Sequence, residues 1–367
     1  MFRCLIIGLG LWGVVAASPA AGEPGRLVSA ETIDPAGGIA AWRIRYETRD
    51  HLGRPVESTG LVAAPTVGAS ERPVVAWAHG TMGVVESCAP SRDSNPLATI
   101  PQLQDMVARG WVVVASDYPG LGTSGPHAYL VADAAAPAVL DAVRAARALG
   151  AARAGARFAI WGHSQGGHAG LAAAAASARD APDLQLVGVV AVSPPTDLAA
   201  NMHAVSPLAR GIFGAFVARS WSEVYDVALS TIANRTTRGV IMRTTSSCVG
   251  GKVGLAQMLR AVRLRHRLGT FDFSGTPPWS ELIARNSITR VEPAVPLMIV
   301  SAANDEVVAD QVTRRFAADA CRQAAHVTFL AMERGDHATT AIETGPRAVQ
   351  WIGERFAGAR QVDDCPL

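Results

Sequence analysis

Apolar and polar positions alternate along this chain in two distinct rhythms. Compact apolar runs occur at 74–78, 111–115, 158–161, 186–192, 297–301 and 327–331. Runs this short, bounded by turn residues, predict buried strands of a largely parallel sheet. Helix-patterned stretches lie between them, at 101–108 closed by Gly110, at 132–149, and from His168 to Ala178. Residues 42–48 and 56–64 are extended and separated by Asp50-His51-Leu52-Gly53, which predicts a hairpin. Strands alternating with helices predict an α/β fold built on a doubly wound, mostly parallel sheet.

The alternation stops between 197 and 292. That stretch carries helical patterns through Leu208, Ile212, Phe213, Phe216 and Val217, and through Leu255, Met258, Leu259 and Val262, with Trp221 and Trp279 nearby. No strand is evident in it. A block of this kind after a central strand predicts a helical cap inserted over the carboxyl ends of the strands, where α/β proteins bind ligands. Most of its apolar residues are expected to form the cap's own core and a minority to line a pocket. The expected organisation is a segment 1–21, a core made of 22–196 and 293–367, and a cap at 197–292.

Segment 1–21 has Arg3 as a basic start, an apolar stretch from Cys4 to Ala17, and Ser18-Pro19-Ala20-Ala21 suited to cleavage. This predicts a signal peptide, and a secreted or periplasmic protein. No later stretch is apolar for long enough to span a bilayer. The formal net charge of +2 gives no reason to expect nucleic acid as a partner. Four of the five cysteines remain after the signal: Cys88, Cys248, Cys321 and Cys365. An even number in an exported chain predicts two disulfides, with three pairings open, and the absence of CxxC spacing argues against a metal site.

Candidate chemistry centres on Gly162-His163-Ser164-Gln165-Gly166, which joins the run 158–161 to the helix that follows. A serine between such glycines at a strand-to-helix turn is a nucleophile elbow, and larger residues at Gly162 or Gly166 would collide. A serine hydroxyl needs a base within hydrogen-bond reach and a third group to fix that base's tautomer. Of nine histidines, His337 follows the last strand and is the best placed base. His163 is expected to point away from Ser164; His79, His168 and His326 are expected to be structural. Asp305 lies just beyond the run 297–301 and is the preferred acid, with Glu306 its rival and Asp336 a weaker one. The oxyanion donors expected are the backbone N–H of Gln165 and a group from the loop after 74–78, Thr81 preferred and Gly80 the alternative.

The motifs AHGT, ESCAPS, SDYPGLG, GHSQGG, ANDEVV and GDH, together with the long insert, resemble those of the secretory lipase family of α/β-hydrolases, fungal lipase A type. The resemblance runs from about Tyr46 to the C-terminus and is weak across the cap. It implies Ser164 as nucleophile, Asp305 as acid, His337 as base and a lid built from the insert. It also implies one disulfide from Cys88 into the lid and another near the C-terminus, hence Cys88 with Cys248 and Cys321 with Cys365. The loop His79-Gly80-Thr81 departs from the fungal pattern. The function expected is an exported serine carboxylester hydrolase, a lipase or esterase, without cofactor. Its substrate would be a small-molecule or lipid ester, and transient contact with a lipid interface is compatible with it. An acyltransferase or a peptidase would use the same triad. A non-catalytic binding protein would lack a triad member, and none is missing.

Overall fold

The apolar runs assemble into one nine-stranded sheet in the order β1-β2-β3-β5-β4-β6-β7-β8-β9. The computed structural model describes residues 22–366 apart from 35–37, 69, 251–254 and 293. The expected signal segment 1–21 lies outside the described residues. The chain begins with β1 (Leu27–Ile33), β2 (Ile39–Arg49), β3 (Pro55–Pro65) and β4 (Arg72–Ala78). It continues through α1 (Leu103–Ala108), β5 (Val112–Ser116), α2 (Ala132–Ala148), β6 (Ala154–His163), α3 (Gln165–Asp180) and β7 (Gln185–Val192). Five helices follow: α4 (Leu198–Ala204), α5 (Pro207–Val224), α6 (Arg235–Thr245), α7 (Leu255–Arg267) and α8 (Trp279–Asn286). The chain then returns to the sheet with β8 (Leu297–Ala302), α9 (Asp310–Arg322), β9 (Val327–Met332), α10 (Thr340–Glu343) and α11 (Gly345–Phe356).

Strands β4 to β9 pair in parallel, whereas β1, β2 and β3 run antiparallel to their neighbours. The β2–β3 hairpin holds one register from Ile39 opposite Pro65 to Arg49 opposite Pro55. Strand β1 has no counterpart among the sequence expectations. Its residues LVSAETI are mostly exposed on both faces, so it carries no apolar alternation to read and is held by its edge pairing with β2.

Side chains of a strand alternate between faces, and β4 shows the outcome. Val74, Ala76 and Ala78 pack with the alanines of α2 and α3 on one face, while Val75 and Trp77 pack with Met106 of α1 and Trp351 of α11 on the other. The small residues of α3 let it lie close to the sheet. A Cβ added at Gly162 would sit 2.1 Å from the carbonyl oxygen of Gly166, and one at Gly166 would sit 1.8 Å from that of Ala78.

Helices α4 to α8 build a third core, where Phe213, Phe216, Trp221, Ile241, Leu264 and Trp279 pack onto Tyr129, Leu130 and Val131 ahead of α2. Helix α7 departs from the expectation that its apolar residues fill that core. Leu264 faces inward, crossing α5 where an added Cβ at Gly211 would meet the Leu264 backbone at 2.7 Å. The stripe Leu255, Met258, Leu259 and Val262 lies on the other side and is 50% to 74% exposed.

Candidate active site

Ser164 occupies the turn between β6 and α3, with φ +54° and ψ −118°. A non-glycine residue rarely adopts positive φ; here the bonds from its N–H to the Val192 carbonyl (2.8 Å) and from the His168 N–H to its own carbonyl (3.0 Å) hold it there. The strain belongs to the elbow, which lifts the hydroxyl above the sheet.

The structure brings Ser164, His337 and Asp305 into one chain of hydrogen bonds. Asp305 Oδ1 accepts the N–H groups of Val307 (2.9 Å) and Val308 (2.7 Å), leaving Oδ2 to face His337 Nδ1 at 2.7 Å. Burial by itself would raise the Asp305 pKa, but the bond and charge of His337 and the two N–H groups outweigh it and hold the carboxyl below its ordinary value. An ionised carboxylate can only accept, so Nδ1 carries the imidazole proton and Nε2 presents a lone pair. Ser164 Oγ lies 2.8 Å from that Nε2 and donates to it. Glu306 and Asp336 are exposed, and Asp336 caps its own turn by accepting the N–H of Thr339 at 2.9 Å.

His168, His79 and His326 make structural contacts. His168 meets the Asn286 carbonyl of α8 at 2.7 Å, His79 the Gly80 carbonyl at 2.7 Å, and His326 the Asp363 carboxylate at 3.0 Å. His163 lines the same cavity as Ser164, and it is not idle: its Nε2 lies 2.8 Å from the His337 carbonyl and the two rings are 4.9 Å apart. Burial, with His337 beside it, pushes its pKa down to about 4, so it is neutral and donates to that carbonyl. No local pattern signals this contact, made across 174 positions.

Gln165 opens α3 immediately after Ser164. Gly80 flanks the elbow, since an added Cβ there would lie 3.6 Å from Ser164 Cβ. Thr81 Oγ1 is 2.9 Å from the hydroxyl of Tyr129. Behind this loop, Asp117 of the SDYPGLG motif accepts from Ser91 of ESCAPS (N–H, 2.9 Å) and from Thr59 (Oγ1, 2.6 Å), which explains how those motifs meet. Disulfides join Cys88 to Cys248 and Cys321 to Cys365. The first lies against Gly83, and the adjoining Val249 N–H donates to the Met82 carbonyl at 2.8 Å, so the insert is fastened to the loop after β4.

Ser164, His337, Gly80 and Thr81 all open onto one cavity of about 720 Å³, whose apolar walls include Trp77, Ile212, Phe213, Phe216 and Ile342. Among the described residues, no cluster of His, Cys, Asp or Glu could hold a metal ion, and no helix is long and apolar enough to cross a membrane.

A mostly parallel sheet with helices on both faces, a serine at the β6–α3 turn and an apolar cavity above it define an α/β-hydrolase fold of the lipase and esterase type. Residues 98–364 match the family model described as secretory lipase, and the chain belongs to that family. It is 25% identical to "Probable inactive lipase MT1628" of Mycobacterium tuberculosis, the match covering 89% of this chain and 75% of that one. It is 22% identical to "Lipase A" of Arthroderma benhamiae, over 89% and 72% of the two chains. Among solved structures, lipase A of Candida antarctica superposes with a TM-score of 0.78 at 17% identity, covering 94% of this chain and 84% of that one. The rice cell wall degrading esterase LipA of Xanthomonas oryzae gives 0.74 at 18% identity, covering 92% and 100%.

Proposed function

We propose that the protein is an exported serine carboxylester hydrolase with Ser164 as nucleophile, His337 as base and Asp305 as acid. The observation that carries this reading is the unbroken Ser164–His337–Asp305 hydrogen-bond chain at the floor of an apolar cavity. Ser164 Oγ attacks the ester carbonyl as its proton passes to His337 Nε2, and Asp305 stabilises the imidazolium. The carbonyl oxygen becomes an oxyanion bound by the N–H of Gln165 and by Thr81, with Gly80 the alternative to Thr81. Collapse breaks the ester bond, and the alcohol leaves with the proton held on Nε2. Water then attacks the acyl-enzyme through the same base, releasing the acid and restoring the serine.

The cavity walls are apolar, which suits an acyl chain. Residues 197–292 act as the lid, since Ile212, Phe213 and Phe216 of α5 form part of those walls. The exposed stripe of α7 shares its helix with Arg260, Arg263, Arg265 and Arg267 and no acidic residue, a composition suited to transient contact with a lipid surface. The two disulfides are consistent with export. The name of the mycobacterial relative speaks of that protein's activity; here all three triad positions are filled and in contact.

The deciding experiment is hydrolysis of chromogenic esters of increasing acyl length, with Ser164→Ala as control and an added alcohol acceptor to detect acyl transfer. Ester hydrolysis abolished in Ser164→Ala is expected. Equal rates for the two proteins would reject the reading.

A further inference from the structure

The short segment 127–129, ahead of α2, touches both sides of the oxyanion site proposed above and also the cap. His127 is buried, with Nδ1 3.0 Å from the Pro119 carbonyl. Burial pushes its pKa down to about 4, so the ring is neutral, Nδ1–H donates to that carbonyl, and Nε2 keeps a lone pair. The side-chain amide of Gln165 donates to that lone pair at 3.0 Å. Gln165 Oε1 has no hydrogen-bond partner among the described residues, so His127 is the polar anchor of this side chain.

Tyr129 makes the matching contact on the other side. Its hydroxyl is buried, and its hydrogen-bond partner is Thr81 Oγ1 at 2.9 Å. Burial raises the phenol to about 12, so it stays protonated and is able to donate. With the phenol as donor, Thr81 Oγ1 accepts, and the threonine O–H is left to point into the cavity that both residues line.

The segment is clamped by one turn of α5. Ser220 Oγ accepts the Tyr129 N–H at 2.9 Å and donates to the His127 carbonyl at 2.6 Å, and the Trp221 indole N–H donates to the Tyr129 carbonyl at 2.9 Å. Both cap residues are fully buried and lie outside the residues lining the cavity.

We infer that segment 127–129, held by Ser220 and Trp221, positions both oxyanion donors, Gln165 through His127 and Thr81 through Tyr129, so that the cap sets the rate of the chemical step as well as access. The inference rests on the reading of Ser164 as nucleophile. His127, Tyr129 and Ser220 are positioning residues; Thr81 and the Gln165 N–H would touch the oxyanion.

The test is a kinetic cycle on a short chromogenic ester, paired with inhibition by an alkyl boronic acid, whose serine adduct is a tetrahedral anion. Losing a whole oxyanion donor lowers kcat about 10²- to 10³-fold, so Thr81→Val should cost about 100-fold and Tyr129→Phe, which only frees that donor, about 10-fold. KM should stay within about 2-fold, because the donor binds charge that develops only in the transition state. Boronate affinity should fall in step with kcat. In a Thr81→Val background, Tyr129→Phe should cost less than about 2-fold, since the two act as one unit. Thr81→Ser, which keeps the hydroxyl, should retain the rate and remain sensitive to Tyr129→Phe. Ser220→Ala should lower kcat about 5-fold at unchanged KM, within the range of losing part of one donor; if it does not fold, the Tyr129→Phe cycle carries the test. Unchanged kcat in Tyr129→Phe, or fully additive losses, overturns the inference while leaving ester hydrolysis by the wild type standing. A wild type with no Ser164-dependent hydrolysis removes both readings together.

Discussion

Asp305 divides its work between two oxygens, and that division predicts how substitutions there behave. Oδ1 is committed to the N–H groups of Val307 and Val308, so only Oδ2 is free to fix His337. In Asp305→Asn, an amide that keeps its oxygen toward those donors must present NH₂ to the imidazole, which forces the wrong tautomer and should cost about 10⁴-fold in kcat. Ser164→Ala and His337→Ala should each cost about as much as removing the whole triad. Glu306 is exposed, and Glu306→Gln should stay within about 2-fold, as surface substitutions generally do. Steady-state kinetics with a thermal melt on each variant checks this, and greater damage from Glu306→Gln than from Asp305→Asn would reassign the acid. The three residues were legible because each follows a recognisable apolar run, and the chain order of strand ends alone brings them near one another. His163 under His337, and Tyr129 against Thr81, were not legible: those contacts depend on side-chain directions across loops, which no local pattern encodes.

At the scale of elements, what was readable followed burial. Strands β4 to β8 lie within a covered sheet and announce themselves as apolar runs, as does the half-buried edge strand β9, whereas β1 is an exposed edge and has no such signature. Helix α7 misled for a related reason, since an apolar stripe at helical spacing does not say whether it meets a core or solvent, and here a second face carrying Leu264 took the core. The disulfides tie unlike elements and should differ in effect. Cys88–Cys248 spans 160 residues and fastens the insert to the loop of Gly80 and Thr81, while Cys321–Cys365 spans 44 and pins the tail along β9, where Asp364 N–H donates to the Val327 carbonyl at 2.8 Å. Chain entropy sets ceilings of about 5 and about 4 kcal/mol for the two. Cys88→Ser should therefore lower the melting temperature and also change kcat and KM, whereas Cys365→Ser should lower the melting temperature alone. Kinetics measured well below the melting range separates them, and unaltered kinetics in Cys88→Ser would detach the first bond from the active-site loop.

For the whole molecule, three neutral histidines, His127 and His168 buried and His163 partly so, tie the structure together at separate joints. His168 links α3 to the cap through Asn286, His127 anchors Gln165, and His163 carries the His337 backbone. Burial pushes each of them down to about 4 in the folded protein, against about 6.5 in an unfolded chain. In the window between those values the unfolded state binds more protons than the folded one, so stability rises with pH there. Their contribution is complete above about pH 6.5 and is lost progressively down to about pH 4, at a cost on the order of 3 kcal/mol for each histidine. Asp305 acts in a lower range: its carboxyl is held below the ordinary value, so its stabilisation is present above about pH 4 and fades only beneath that. Acid should therefore destabilise the protein from near neutrality, before the Asp305 carboxyl protonates. Urea midpoints measured between pH 7.5 and 4 should fall steadily, and the slope should flatten in His168→Gln, which keeps a donor toward the Asn286 carbonyl without a titrating ring. A midpoint that holds constant down to pH 4.5 would mean that these rings take up protons inside the folded protein, and the neutral network drawn around His127 and His163 would have to be redrawn with charged donors.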